Sequence, residues 1–332
     1  MDLTPTDDQR ALVDAFGGFL AKESTPAVVR AAEPLGHDPA LWAMVVDLGV
    51  PMMGAPEAAG GGATLLDLAL VGEQVGRQLA PLPYVEAIVA TRLLAAAGAA
   101  ERVERANAGE IVTFAVRPPV AGVARLVPAG AVAASVVVLD GDELVVVPGG
   151  GAALGNTASA PLADVALDGP RTVLATGAAA RRLQAAALDE WRSLTASLLA
   201  GLAAAALEIG VAYTKQREQF GKPIAAFQSI AHRLADDATD VQGLQLLTRK
   251  AAWALDEQPA DGPRLAAMAH LWAGEVANRV AGNSLHFHGG YGFMLEYDIQ
   301  LFLRRAKLWS VVGGDPRSGY AELGRQLFGA VR

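Results

Sequence analysis

The chain is 332 residues long, 52% hydrophobic and 19% charged, and its 27 basic and 35 acidic side chains give a formal net charge of −8. That composition excludes a long disordered segment, and the acidic balance without any basic cluster argues against a phosphate-backbone binder, so no nucleic-acid partner is expected. There is no cysteine, which excludes disulfides, thiolate metal sites and thiol nucleophiles; with an acidic N-terminus and no apolar leader after it, a reducing cytoplasm is the expected compartment.

Thr6 with Gln9 three residues later is a capping-box pattern, and Ala11, Leu12, Phe16 and Leu20 follow at helical spacing, so a first helix starts there. Trp42, Val45, Val46 and Leu48 continue an apolar face to Gly49, and residues 51–62, dense in Pro and Gly, read as a loop. Helix resumes with Leu65, Leu68, Val71, Val75 and Leu79 on one face and Glu73, Gln74, Arg77 and Gln78 opposite, until Pro81 and Pro83 end it. Residues 1–108 are expected to be a helical domain.

The composition changes after Gly109. Residues 111–116 and 135–139 are short β-branched runs, and 140–143 followed by Leu144, Val145, Val146 and Val147 reads as a hairpin, which predicts a small β domain over 109–177. Gly149, Gly150 and Gly151 lack both the spacing and the following helix of a phosphate loop, so they read as a plain loop.

Long periodic helices are predicted at about 178–218, 223–257, 263–287 and 297–312, a four-helix bundle over 178–332. Its most apolar stretch, 193–207, is shorter than the roughly 20 residues that span a bilayer and reads as a buried helix, with no membrane span. In the second helix Phe227, Ile230, Leu234, Ala238 and Val241 mark the buried stripe, and Arg233, Asp236, Asp237 and Asp240 the solvated one.

The five histidines, His37, His232, His270, His286 and His288, form no H-E-x-x-H, so no metal site is expected. Nucleophile-elbow, Walker and paired-carboxylate patterns are also missing. Three segments carry the chemical signal. In the first, Lys215, Arg217 and Gln219 surround the end of a helix stopped at Gly221; capping explains the cations, but a guanidinium and an amide beside the flat ring of Phe220 suit a phosphate next to a planar group. In the second, His286, His288, Gly289, Gly290, Tyr291, Gly292 and Phe293 hold more glycine than a helix stop requires. The third runs from Arg304 and Arg305 to Gly313, Gly314 and Asp315.

In this order the segments resemble the acyl-CoA dehydrogenase family. Arg217 to Gln228 is similar to its R-x-Q-F-G-K-P-I-x-x-F-Q signature, and His288 to Tyr297 to its H-G-G-Y-G-F signature. Leu41-Trp42, Asp47-Leu48-Gly49, Pro56-Glu57 with Gly60-Gly61, and Glu73 with Gly76-Arg77 resemble its first helical domain. The resemblance implies a mostly α fold with an N-terminal helical domain, a β middle domain and a C-terminal four-helix bundle. It also implies FAD, an acyl-CoA substrate, α,β-dehydrogenation with a glutamate as base, and electron-transferring flavoprotein as acceptor. By the same resemblance Arg217, Gln219, Phe220, Gln228, His286, Gly289 and Gly290 touch the dinucleotide half of an FAD seated mainly in a neighbouring subunit, with His286 where the family usually has Gln.

The departures are as informative. Gly313 stands where the family's catalytic Glu usually is, Arg305 replaces an Asp, and the alternative base position falls on Trp191, one residue from Glu190. The T-E-P-x-x-G-S-D loop and W-I-T strand that line the flavin ring have no counterpart, 114–119 being the nearest remnant. The chain therefore resembles the reduced subunit of heterotetrameric, steroid side-chain type members, completing the FAD site of a full-length partner in an α2β2 assembly, with no catalytic residue of its own assigned. A self-sufficient enzyme with Glu190 or Asp315 as base, and a non-catalytic acyl-CoA or protein binder, remain alternatives.

Overall fold

The computed structural model describes residues 3–329; residues 1–2 and 330–332 lie outside the described residues. The N-terminal region runs through α1 (Asp7–Glu23), α2 (Pro26–Ala31), α3 (Pro39–Asp47), α4 (Val50–Met53), α5 (Leu65–Arg77), α6 (Tyr84–Ala96) and α7 (Ala100–Asn107). Thr6 and Gln9 form the reciprocal capping box that opens α1. The stretch 51–62 is not all loop: α4 occupies its start because Pro51 sits in the first turn, where its fixed φ is already helical, and a 3-10 turn follows at Glu57–Ala59.

The expected wet face of α5 is also corrected. Glu73 is 4% exposed and meets Arg249 at 3.3 Å, because α5 is sandwiched between α1 and the longest helix of the bundle. The two helices touch through glycines: a methyl built on Gly76 would stand 1.9 Å from the Leu198 carbonyl, and one on Gly201 1.9 Å from the Glu73 carbonyl. Only hydrogen fits at that crossing, so the N-terminal helices and the bundle share one core.

The middle region contains β1 (Val112–Phe114), β2 (Val123–Val127), β3 (Ser135–Asp140), β4 (Glu143–Pro148), β5 (Ala163–Ala166) and β6 (Thr172–Thr176). A four-stranded sheet has the order β1-β3-β4-β6, parallel between β1 and β3 and antiparallel elsewhere, and β2 pairs antiparallel with β5. Alternation along the strands serves two cores. Val136, Val138, Val145 and Val147 face the β2–β5 pair, while Val137, Leu144 and Val146 join the helical core, so both faces of the sheet are buried. The triple glycine after β4 is irregular backbone, as its spacing predicts.

The last region holds α8 (Gly177–Gln216), the two-residue strands β7 (Glu218–Gln219) and β8 (Lys222–Pro223), α9 (Gln228–Glu257), α10 (Gly262–Phe287), α11 (Ile299–Trp309) and α12 (Pro316–Phe328). α8 includes a window long and apolar enough for a membrane span, but 78% of that window is buried inside the fold. α9 starts later than predicted because the Phe220–Gly221 turn and β8 use the residues before it. The fourth predicted helix ends at Trp309, and α12, which was not predicted, follows with Asp315 as its cap. On α9, Asp237 is 1% exposed and accepts hydrogen bonds from the Asn283 amide of α10, which removes it from the solvated stripe.

Candidate functional site

The two signature segments meet at the end of α8. The Tyr213 ring stacks on His288 with centroids 3.9 Å apart, and His288 is fixed in turn by a 2.7 Å contact between its Nδ1 and the Ser284 carbonyl. Arg217 lies one helical turn beyond Tyr213, so the stack places the turn carrying Gly289 and Gly290 near the Arg217 hairpin.

That hairpin turns at Phe220 and Gly221 with φ of 55° and 76°, the left-handed pair that a two-residue β-turn requires. It leaves Phe220 92% exposed, edge-on to Phe227 with centroids 6.1 Å apart. Arg217, Gln219, Gln228 and His286 are also exposed, and among the described residues the Arg217 guanidinium makes no ion pair or hydrogen bond. Nothing lies within 4 Å of the position a side chain would take at Gly289 or Gly290. An unsatisfied planar cation, a flat ring and open backbone on one surface fit the phosphates and base of a dinucleotide.

The base position is different in kind. A methyl built on Gly313 would stand 2.8 and 2.9 Å from carbons of the Trp191 ring, and 3.8 Å from His270 Nε2. Trp191 is 2% exposed and its ring centroid is 5.2 Å from that of His270. The indole therefore occupies the space a side chain at 313 would enter, and the two candidate base positions exclude each other. Burial, with help from the Arg192 charge, lowers the His270 pKa to about 4, so the imidazole is neutral.

Glu190 and Asp315, the sequence's alternatives for a base, are engaged elsewhere. Glu190 takes two hydrogen bonds from Arg92 of α6 at 2.8 and 3.1 Å, and Asp315 caps α12 and pairs with Arg317 at 2.8 Å. The remnant loop is tied over the same place: Arg117 donates from Nε to the Val312 carbonyl and from Nη2 to the Val311 carbonyl, both at 2.8 Å. Gln184 of α8 holds the Ala115 carbonyl at 2.9 Å, which fixes the other end of the loop.

Trp191 also walls a partly open cavity between α6, α8, α11 and the loops at 128–129 and 158–162, whose lining includes Glu86, Thr195 and Arg305. Burial pushes the Glu86 carboxyl above its usual range. No motif marks Glu86, and its one signal in the sequence is that within α6 only Glu86 and Arg92 are charged. Among the described residues no cluster of His, Cys, Asp and Glu is arranged to hold a metal ion.

Residues 6–107 match the model of the acyl-CoA dehydrogenase N-terminal domain and residues 181–319 that of the acyl-CoA dehydrogenase C-terminal domain. The acyl-CoA dehydrogenase IpdE2 of Mycolicibacterium smegmatis is 30% identical over 341 residues, covering 97% of this chain and 100% of the relative. Among solved structures, the ChsE4-ChsE5 complex of Mycobacterium tuberculosis matches with a TM-score of 0.86 and 27% identity over 100% of both chains. The Tcur3481-Tcur3483 steroid ACAD matches with a TM-score of 0.86 and 26% identity over 97% of this chain and 98% of the other.

Proposed function

The chain belongs to the acyl-CoA dehydrogenase family, and from that premise we propose that it is the reduced subunit of a heteromeric, FAD-dependent enzyme, holding part of the cofactor while a full-length partner supplies the catalytic glutamate. The observation that carries this reading is the Trp191 ring packed on Gly313: a chain with an indole in the place of its base has no group there to take the α-proton. The similarity to the two-component ChsE4-ChsE5 complex and to the Tcur3481-Tcur3483 steroid ACAD supports a heteromeric assembly and a steroid thioester as substrate; the α2β2 form, the cytoplasm and electron-transferring flavoprotein as acceptor belong to the same proposal.

Bound FAD would supply the hydride acceptor for α,β-dehydrogenation. This chain's residues would bind and orient it: Arg217 against the phosphates, Phe220 against a planar face, Gln219, Gln228 and His286 as hydrogen-bonding groups, and Gly289 and Gly290 as backbone that can be approached closely. Arg117 would hold the remnant loop against the Val311–Val312 backbone beside this chain's own Gly313.

The test is the visible spectrum and the turnover of the chain purified alone and after co-expression with a full-length family member. The expected result is little flavin and no dehydrogenation alone, with both appearing in the complex. A yellow, active homomer overturns the reading.

A further inference from the structure

At the seam between α7 and the sheet lies a solvent-open groove of about 340 Å³, within the roughly 300–1,000 Å³ of small-molecule sites. Arg102 and Arg105 come to it from α7, Ser135 from the start of β3, Thr172 from the start of β6 and Glu110 from the loop between α7 and β1. The pleat decides which strand residues reach it: Ser135 shares a face of β3 with Val137, which belongs to the helical core, and Thr172 is in register with Val146 of that same core.

The cations there are poorly partnered. Arg102 makes no ion pair among the described residues, and its one hydrogen bond runs from Nη2 to the Thr172 hydroxyl at 3.1 Å. Arg105 Nε is 3.8 Å from the Glu110 carboxylate, beyond hydrogen-bond distance. A third guanidinium, Arg171, stands at the rim and is already held by Asp140 and Glu143 at 3.0 and 3.2 Å, so it adds no free charge. Two guanidiniums against one carboxylate leave this wall positive in a chain whose net charge is −8.

Ser135 adds a donor without a partner. It is 7% exposed and lines the groove, yet its hydroxyl makes no hydrogen bond among the described residues. A nearly buried hydroxyl left unpaired is costly, and an anion seated in the groove gives it and the two guanidiniums an acceptor. A phosphate group offers three or more acceptor oxygens and close to two charges, which suits two forked donors and a hydroxyl.

We propose that the groove between α7 and the sheet is a binding site for the phosphate group of a small molecule, with Arg102 and Arg105 as its charged donors and the Ser135 hydroxyl as a third. Two carriers share that chemistry, inorganic phosphate and a phosphate monoester whose organic body lies along Pro148 and Pro170 at the rim. The site goes beyond the subunit role proposed above and does not rest on it, since the Arg217 hairpin and the glycine turn take no part in it.

Calorimetric titration of the purified chain with phenyl phosphate at pH 8 and constant ionic strength tests it; at that pH the ligand is a dianion. Saturable binding is expected, about tenfold or more tighter than that of phenyl sulfate, which has the same ring and one charge less. Arg102→Gln and Arg105→Gln are each expected to weaken phenyl phosphate about fivefold or more, which also separates this groove from the free guanidinium of Arg217. Ser135→Ala is expected to weaken it about threefold while the ligand-free protein melts no lower, because the hydroxyl removed has no partner. Inorganic phosphate that binds as tightly as phenyl phosphate identifies the ion as the ligand, and weaker binding identifies a monoester. No saturable binding of either, equal affinity for phenyl phosphate and phenyl sulfate, or arginine variants that bind as the wild type does overturns the proposal; the comparison of the two phenyl esters needs no variant. A Ser135→Ala protein that melts lower and binds unchanged overturns the hydroxyl's place in the site.

Discussion

The indole of Trp191 and the α-carbon of Gly313 are complementary: a single methyl on the glycine would come within 2.8 Å of the ring. A small residue at one position and a large one at the other fill a single space, so neither can be exchanged alone without cost. The two positions considered for a catalytic base, 313 and 191, are thereby filled by one packing arrangement.

The first prediction concerns this pair. Gly313→Ala should cost about 1–3 kcal/mol of unfolding free energy in the native background, from overpacking against a rigid ring. Trp191→Ala should cost about 3–5 kcal/mol by leaving a cavity. In the double variant the cost of Gly313→Ala should largely vanish, and urea unfolding of the four proteins reads the coupling. Additive costs would show that the contact carries no energy.

The second concerns Glu190. Because it pairs with Arg92 and both side chains are largely buried, Glu190→Gln should destabilise the chain by about 1–3 kcal/mol, leaving the guanidinium without its charge. The same variant, co-purified with a full-length partner, should turn over at the unaltered rate. Loss of turnover with stability intact would return Glu190 to the role of base.

The third concerns the cofactor clamp. In the co-expressed complex Arg217→Ala should lower flavin retention during gel filtration, and Arg217→Lys should recover only a small part, because an ammonium cannot reproduce two parallel N–H donors on a phosphate. Full recovery by lysine would reduce Arg217 to a point charge.

The fourth concerns pH. His270 has a folded-state pKa of about 4 against a usual 6.5, so below pH 6.5 the unfolded chain takes up a proton that the folded one refuses. This group's contribution is complete above pH 6.5 and is lost as the pH falls towards 4, at up to about 1.4 kcal/mol for each pH unit. Glu190 and Asp237, whose pKa values burial raises, act in the opposite direction over part of that range, so the net slope mixes them. The difference between wild type and His270→Gln isolates the histidine: the variant should lose less stability between pH 6.5 and 4.5, measured by urea midpoints. Parallel profiles would place the acid sensitivity elsewhere.

Much of the architecture is local in origin and was legible in the sequence. The Thr6 capping box, the β3–β4 hairpin and the long helices α8, α9 and α10 follow from neighbouring residues and periodicity, which tertiary packing reinforces. The family signatures were legible for the same reason, being contiguous strings. So was the lack of a glutamate at 313 and 191, which is a matter of identity alone. Where the sequence misled, a polar residue had been assigned to solvent by its position on a helix: Glu73 and Asp237 are buried because another helix with Arg249 or Asn283 packs over them, and no periodicity within one helix reports what covers its second face.

Only the tertiary structure decided what became of the base position. That Trp191 fills the space beside Gly313, that Arg117 ties the shortened loop over it, and that Glu33 must serve both Arg304 and Arg305 are relationships across more than one hundred residues in each case. The chain's composition and motifs determined a mostly helical acyl-CoA dehydrogenase fold, because that depends on runs of side chains. The packing of Trp191 on Gly313 depends on volumes meeting from distant segments, and these are set only when the chain packs.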